Sequence, residues 1–243
     1  MDHIYIFYLI LFMVAALYSS VGHGGASAYL ALMAIYSFSP EVMKPTALIL
    51  NLFVSMVSFV QFYRGDYFKW KIFLPLALAS VPMAFLGGLI SIDASLYKKI
   101  LGIFLFIPVI RFLFFPNFSD TALKKHNLLF SLIIGSLLGF FSGLIGIGGG
   151  IILSPVLLLL RWTNQKQTAA ISALFIFVNS LSGLAGQASK GLALGSDMIW
   201  YIIFAFAGGL LGSYFGALKF NQVVLKNTLA GVLFVAGLKL ILA

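Results

Sequence analysis

Apolar runs alternate with short polar punctuation along the whole chain, and the lengths of those runs define its elements. Residues 5–18 form a first run that stops at a glycine cluster, and a second short run, 27–38, follows it. Each is shorter than the roughly 20 apolar residues needed to cross a hydrocarbon core about 30 Å thick. The runs at 44–62, 72–90 and 96–115 are long enough. Between the first two of these lies Tyr63-Arg-Gly-Asp-Tyr-Phe-Lys-Trp-Lys71, whose aromatics and cations suit the headgroup level of a membrane. After the polar stretch 116–126 the plan returns: 127–145, a second glycine cluster, 151–160, then runs at 168–189, 198–218 and 223–242. The pattern predicts an all-α integral membrane protein of two homologous repeats, 1–115 and 127–243, joined by a polar connector at 116–126. Each repeat holds about four helical elements, the first of them broken at a Gly-rich loop.

The two breaks superpose. Ser19-Ser-Val-Gly-His-Gly-Gly-Ala-Ser27 slides onto Gly143-Leu-Ile-Gly-Ile-Gly-Gly-Gly-Ile151 at a shift of 124, placing Gly22 on Gly146, Gly24 on Gly148 and Gly25 on Gly149. Trp70 and Trp200 open the third element of each half, and Tyr97-Lys-Lys-Ile-Leu-Gly102 lies over Lys226-Asn-Thr-Leu-Ala-Gly231, so the shift drifts to about 130 through small insertions. Other glycines recur at i, i+4, i+8, as Gly135, Gly139, Gly143 and as Gly208, Gly212, Gly216. That spacing lets neighbouring helix backbones approach closely.

Composition sharpens the class. The chain is 62% hydrophobic and 9% charged, and its mean hydropathy is +1.10, far from the quarter charged that soluble domains carry. No room remains for a soluble domain, and Met1-Asp-His-Ile4 lacks the basic region of a removable signal peptide. Zero cysteines exclude disulfides and thiolate chemistry. The net charge of +9 comes from Lys and Arg set one to three at a time between apolar runs, the mark of membrane anchors rather than of a nucleic-acid surface.

Those cations also bear on topology. If each broken element crosses once, Lys and Arg divide about evenly between the two sides. If each re-enters and returns, each half crosses three times and the repeats are inverted. Arg64, Lys69, Lys71, Arg111, Lys124, Lys125, Arg161, Lys166, Lys219 and Lys226 then face Lys44, Lys98, Lys99, Lys190 and Lys239, ten against five. The positive-inside rule favours the inverted arrangement, with both termini outside.

Chemistry concentrates at the breaks. An interrupted helix leaves the first N–H groups of its second half unpaired, and with roughly half a positive charge per N-terminus these favour an anion without any basic side chain. The expected substrate-binding set is Gly22, His23, Gly24, Gly25 and Ser27 in the first copy and Gly146, Gly148, Gly149 and Gly150 in the second, with Asn51, Ser172 and Asn179 on the helices that follow. Ser19, Ser20, Thr46, Ser142 and Ser154 stand close enough to complete a polar cage. His23, matched by Ile147 in the second copy, is open to three roles: a substrate contact, a coupling-proton site, or a neutral ring packed on a carbonyl. Asn51 and Asn179 are open to two, an inter-helix hydrogen bond or a substrate contact.

Gly146-Ile-Gly-Gly-Gly150 looks like part of a dinucleotide loop, but the strand, the βαβ unit and the downstream acidic residue of that fingerprint are missing. No Ser/His/Asp set, HExxH or intramembrane carboxylate pair occurs, so no enzyme, metal or cofactor is expected.

Together, Gly146-Ile-Gly-Gly-Gly-Ile-Ile-Leu-Ser-Pro155, Val21-Gly-His-Gly-Gly25 and Lys44-Pro-Thr-Ala-Leu-Ile-Leu-Asn51 resemble the sulfite exporter TauE/SafE family, also called the toluene sulfonate uptake permease family, over essentially the whole chain. The resemblance implies a transporter of the prokaryotic cytoplasmic (inner) membrane whose relatives move sulfite, sulfonates, sulfoacetate and related organosulfur anions. Ala26, where the second copy has Gly150, and Ala31, in place of a proline matching Pro155, are departures in the first copy. The expected function is transport of a small sulfur oxyanion by alternating access at a midplane site, with a proton or sodium ion as coupling partner, lipid around it and oligomers possible. A passive anion channel and a non-transporting scaffold subunit are the rival readings.

Overall fold

The computed structural model describes residues 2–114, 123–216, 234 and 237–242. Among these the chain forms nine helices in order: α1 Asp2–Ser19, α2 Ala26–Ile35, α3 Pro40–Arg64, α4 Trp70–Leu89, α5 Ala94–Phe114, α6 Leu128–Ile145, α7 Gly150–Leu159, α8 Gln165–Ala188 and α9 Met198–Gly216. The 223–242 run falls largely outside the described residues, within which 237–242 is helical. Five helices, α3, α4, α6, α8 and α9, are long and apolar enough to cross a membrane. The chain is an all-helical, multi-pass membrane protein.

α3 and α8 start ahead of their apolar runs, at polar residues. α3 opens at Pro40 behind an extended Ser39, because proline in the first turn loses no hydrogen bond and brings a suitable φ. α8 opens at Gln165, where Asn164 accepts from the Gln167 amide while the Gln167 side chain accepts from the Asn164 amide. This capping box is polar throughout, and an apolar count passes over it.

Both broken elements are hairpins. α1 and α2 return to the same end of the bundle: Phe7, near the start of α1, lies 5.1 Å from Tyr36 and 5.6 Å from Phe38, just past α2. α6 and α7 do likewise at the opposite end, where the Lys124 amide donates to the Arg161 carbonyl at 2.8 Å and His126 meets Trp162 at 6.2 Å. The cations follow these ends. Lys166 reaches the Tyr67 hydroxyl at 3.0 Å at one end; at the other, Lys190 reaches Ser91 and Lys239 binds the Ala34 and Ile35 carbonyls.

Glycine seams cross between the halves. Added Cβ atoms at Gly135, Gly139 and Gly143 of α6 would strike the carbonyls of Leu76, Ser80 and Ala84 on α4. At Gly208 and Gly212 of α9 they would strike those of Phe12 and Ala16 on α1. Small residues are needed because the backbones themselves are in contact, where dispersion rather than hydrophobicity holds helices together. α3 and α8 pack against each other, and α2 is buried from Ala26 to Ala34. A helix apolar all round and enclosed in this way has no lipid-facing or water-facing side.

Candidate functional site

The two hairpin tips meet at one side chain. A Cβ on Gly24 would run into Asn51 Oδ1, and a Cβ on Gly148 would come to 2.5 Å from Asn51 Nδ2. Asn51 is fully buried, and both ends of its amide are used. Its Oδ1 accepts from the Ala26 amide at 3.1 Å, and its Nδ2 donates to Ser180 Oγ at 3.2 Å. Ala26 is the first residue of α2, so this bond satisfies one of the amides that a helix start leaves orphaned. Asn51 therefore ties the first break to α8 across the middle of the bundle.

The glycines are required by backbone shape as well as by space. Gly22, Gly25, Gly146, Gly148 and Gly149 all have φ between 72° and 92°, a region costly for residues with a Cβ. Gly25 and Gly149 precede α2 and α7 as left-handed N-caps, and no side chain caps from either position. Gly150 faces the Ile176 side chain too closely for a methyl group, whereas Ala26 has room for its own. That contact explains why the two copies differ here.

His23 spans the two hairpins. Its Nδ1 lies 3.0 Å from the Val21 carbonyl, which can only accept, so Nδ1 carries the proton. Its Nε2 lies 2.9 Å from Ser154 Oγ on α7, which is also 2.8 Å from Ser172 Oγ on α8 and 3.0 Å from the Gly150 carbonyl, so the one Ser154 proton is shared among these neighbours. Ser27 pairs instead with Tyr18 across the first break, at 3.0 Å. Ser19 and Ser20 bond the carbonyls of Ala16 and Leu17 one turn back on α1.

Asn179 occupies a different setting from Asn51. Its Nδ2 donates to the Phe175 carbonyl at 2.8 Å, and its buried Oδ1 has no protein partner. Tyr29 Oη, beside Gly25, is likewise buried without a partner, and so is Ser142 Oγ, whose Cβ neighbours Gly149. Thr46 and Ser55 on α3 complete this set of buried hydroxyls. Buried polar atoms are nearly always bonded in folded proteins, so the Tyr29 and Ser142 hydroxyls, next to the glycines that open α2 and α7, stand out as polar groups without a protein partner.

Three contributors escaped the sequence reading: Ser180, Ile176 and Tyr97. Ser172, Ile176 and Ser180 recur at i, i+4, i+8 on one stripe of α8, a signal present in the sequence but indistinguishable there from ordinary packing. Tyr97 donates to the Ile145 carbonyl at 3.0 Å, and the Lys44 ammonium lies 4.7 Å over its ring. The pair braces the end of α6 from a distant helix, which no local pattern encodes. Among the described residues, no group of His, Asp or Glu side chains is arranged to hold a metal ion.

The chain is similar to proteins named as membrane transporters. It is 35% identical to Probable membrane transporter protein y4hK of Sinorhizobium fredii, over 95% of each chain. It is 25% identical to Probable membrane transporter protein YjnA of Bacillus subtilis, over 94% of this chain and 96% of that one. With Probable membrane transporter protein MJ0441 of Methanocaldococcus jannaschii it shares 28% identity, over 71% of this chain and 68% of that one. No solved structure matches it. The profile of the sulfite exporter TauE/SafE family matches residues 7–240, and the chain belongs to that family of membrane transporters.

Proposed function

We propose that the protein transports a small anion, a sulfur oxyanion or organosulfonate such as sulfite or sulfoacetate, by alternating access around the two hairpin tips. The observation that carries this reading is the meeting of Gly24 and Gly148 at Asn51, with the unpartnered hydroxyls of Tyr29 and Ser142 next to the adjoining Gly25 and Gly149. Two helix starts, α2 and α7, lie at that meeting, and their amides and dipoles favour a multiply oxygenated anion. The family's name supports sulfite as the substrate class.

Under this reading residues 1–115 and 127–243 are inverted repeats about the 116–126 connector. The hairpins returning to opposite ends support the inversion, and so do the seams that pair α4 with α6 and α9 with α1. Gly22, His23, Gly24, Gly25, Ser27, Asn51, Gly146, Gly148, Gly149, Gly150, Ser172 and Asn179 are the proposed binding set. A proton at His23 or a sodium ion supplies coupling, and the protein resides in a prokaryotic inner membrane. Because Ser27 and Asn51 already bond within the protein, substrate contact at these two requires rearrangement.

The test is thermal stability of the detergent-purified protein with sulfite, sulfate, thiosulfate, sulfoacetate, taurine or chloride. A ligand that binds only the folded state contributes about 2.7 kcal/mol at a hundredfold excess over Kd. A shift selective for a sulfur oxyanion, abolished in a folded Gly149→Val variant, is expected. No shift with any of the six would remove the proposed site. Accumulation of that anion against its gradient in proteoliposomes separates a coupled transporter from a passive channel.

A further inference from the structure

An open cavity, apolar inside and rimmed by lysines, lies away from the hairpin tips, at the end of the bundle where α6 and α7 begin and finish. It has a volume of about 420 Å³ and is lined by Lys69, Lys71, Lys124, Lys125 and His126 together with the aromatic rings of Phe68, Trp70 and Trp162. None of its described lining residues is acidic. Three helix starts open onto it: Lys69 and Trp70 begin α4, residues 123–126 lead into α6, and Gln167 lies in the first turn of α8. No side chain caps α4, so its first amides and the positive end of its dipole face the same space as the lysines. Four exposed lysines and the uncapped start of α4 around one concavity favour an anion between them, while α6 and α8 are capped by Asn127 and Asn164.

The surroundings select the anion's source. Trp70 is half exposed and Trp162 buried, the mixed placement that amphipathic rings take at the headgroup level. Directly beyond the cavity, α4 and α6 pack against each other and expose Leu74 and Leu78 on one and Leu128, Leu129 and Ile133 on the other. A phosphate held among the lysines therefore has an apolar helix surface beside it on which acyl chains can lie. A free oxyanion makes no use of that surface, and the cavity falls within the 300–1,000 Å³ range of ligand sites. Among the described residues, Arg64, Arg161 and Lys166 join the four lysines at this end, and under the positive-inside rule anionic lipid of the cytoplasmic leaflet meets it.

We propose that this cavity is a binding site for the phosphate headgroup of an anionic phospholipid, with Lys69, Lys71, Lys124 and Lys125 neutralising the phosphate and α4 and α6 receiving the chains. The site is independent of whichever substrate crosses at the hairpin tips.

The experiment is native mass spectrometry, paired with thermal melts, of the delipidated full chain titrated with phosphatidylglycerol, cardiolipin, phosphatidylcholine or inorganic phosphate. Phosphatidylglycerol and cardiolipin are expected to bind at least tenfold more tightly than phosphatidylcholine, with affinity falling as salt rises. Lys69→Gln/Lys71→Gln and Lys124→Gln/Lys125→Gln are each expected to weaken them about tenfold. Lys98→Gln/Lys99→Gln, on α5, should leave binding unchanged. Equal binding of phosphatidylcholine, or equal loss in the α5 variant, overturns the proposal. Stabilisation by inorganic phosphate matching that by lipid reassigns the cavity to a soluble anion and also overturns it. Should a double variant fail to fold, the lipid selectivity and salt dependence of the unmodified protein still decide.

Discussion

The two glycine breaks share a sequence pattern and differ in how tightly the fold grips them. At the first, Gly22 is pressed on the Ala169 backbone, the α2 start is held by Asn51, and Ser27 is paired with Tyr18. At the second, a Cβ on Gly146 would come to 3.3 Å from the Lys44 backbone, tight but not overlapping, and α7 starts with no side-chain cap. Asn179, the asparagine that follows this break on α8, keeps a buried oxygen without a protein partner. The same motif thus has its helix start tied by an asparagine in one half and untied in the other, while Gly148 and Gly150 of the second break are packed as closely as the glycines of the first.

The largest expected effect tests the grip. Gly22→Ala places a methyl group about 2.5–2.7 Å from Ala169 atoms at a left-handed φ of 79°, and the expected loss is about 2–5 kcal/mol of stability. Gly146→Ala, at φ 89° with its methyl group in a tight 3.3 Å approach to the Lys44 backbone, is expected to lose about 1–2 kcal/mol, mainly from backbone strain. Melting of both purified variants decides, and equal losses would contradict the contrast.

The asparagines come next. Asn51→Ala strands the Ala26 amide and the Ser180 hydroxyl in a buried setting, at an expected cost of about 2–4 kcal/mol. Asn179→Ala removes one bond to a helical carbonyl and is expected to cost about 1 kcal/mol or less. If its free oxygen faces substrate, transport in that variant falls at least tenfold while the melt barely moves. Unchanged transport would place Asn179 outside the binding set.

The smallest effect concerns the bridge between the tips. A double-mutant cycle of His23→Ala with Ser154→Ala should give a coupling of about 1 kcal/mol, the ordinary worth of a hydrogen bond. A coupling indistinguishable from zero would mean that the 2.9 Å contact does not tie the hairpins together.

Much of this was legible in advance because membrane helices obey a one-dimensional constraint. Every backbone polar group within the hydrocarbon must be satisfied internally, so run length alone places α3, α4, α6 and α9 to within a few residues. The glycine seams were legible too, since i, i+4 spacing on a helix has few uses other than close approach. Polar helix starts were harder: Ser39–Pro40 and the Asn164 capping box carry no apolar signal. At the breaks the glycines stood out, yet their partners did not. Ile176, Ser180 and Tyr97 lie on helices more than 25 residues from the glycines they serve, and a polar or bulky residue in an apolar run reads the same whether it packs or binds.

The sequence by itself determined that this chain is a helical membrane protein with two glycine-interrupted elements, because apolar length and backbone permissiveness are local properties. Only the tertiary structure decided that the interrupted elements fold back as hairpins, that their tips meet at Asn51, and that Asn51 and Asn179 stand in different surroundings. Those facts depend on which helices pack together across 25 to 130 positions of chain, and contacts at that range arise from three-dimensional packing rather than from any residue's own preference.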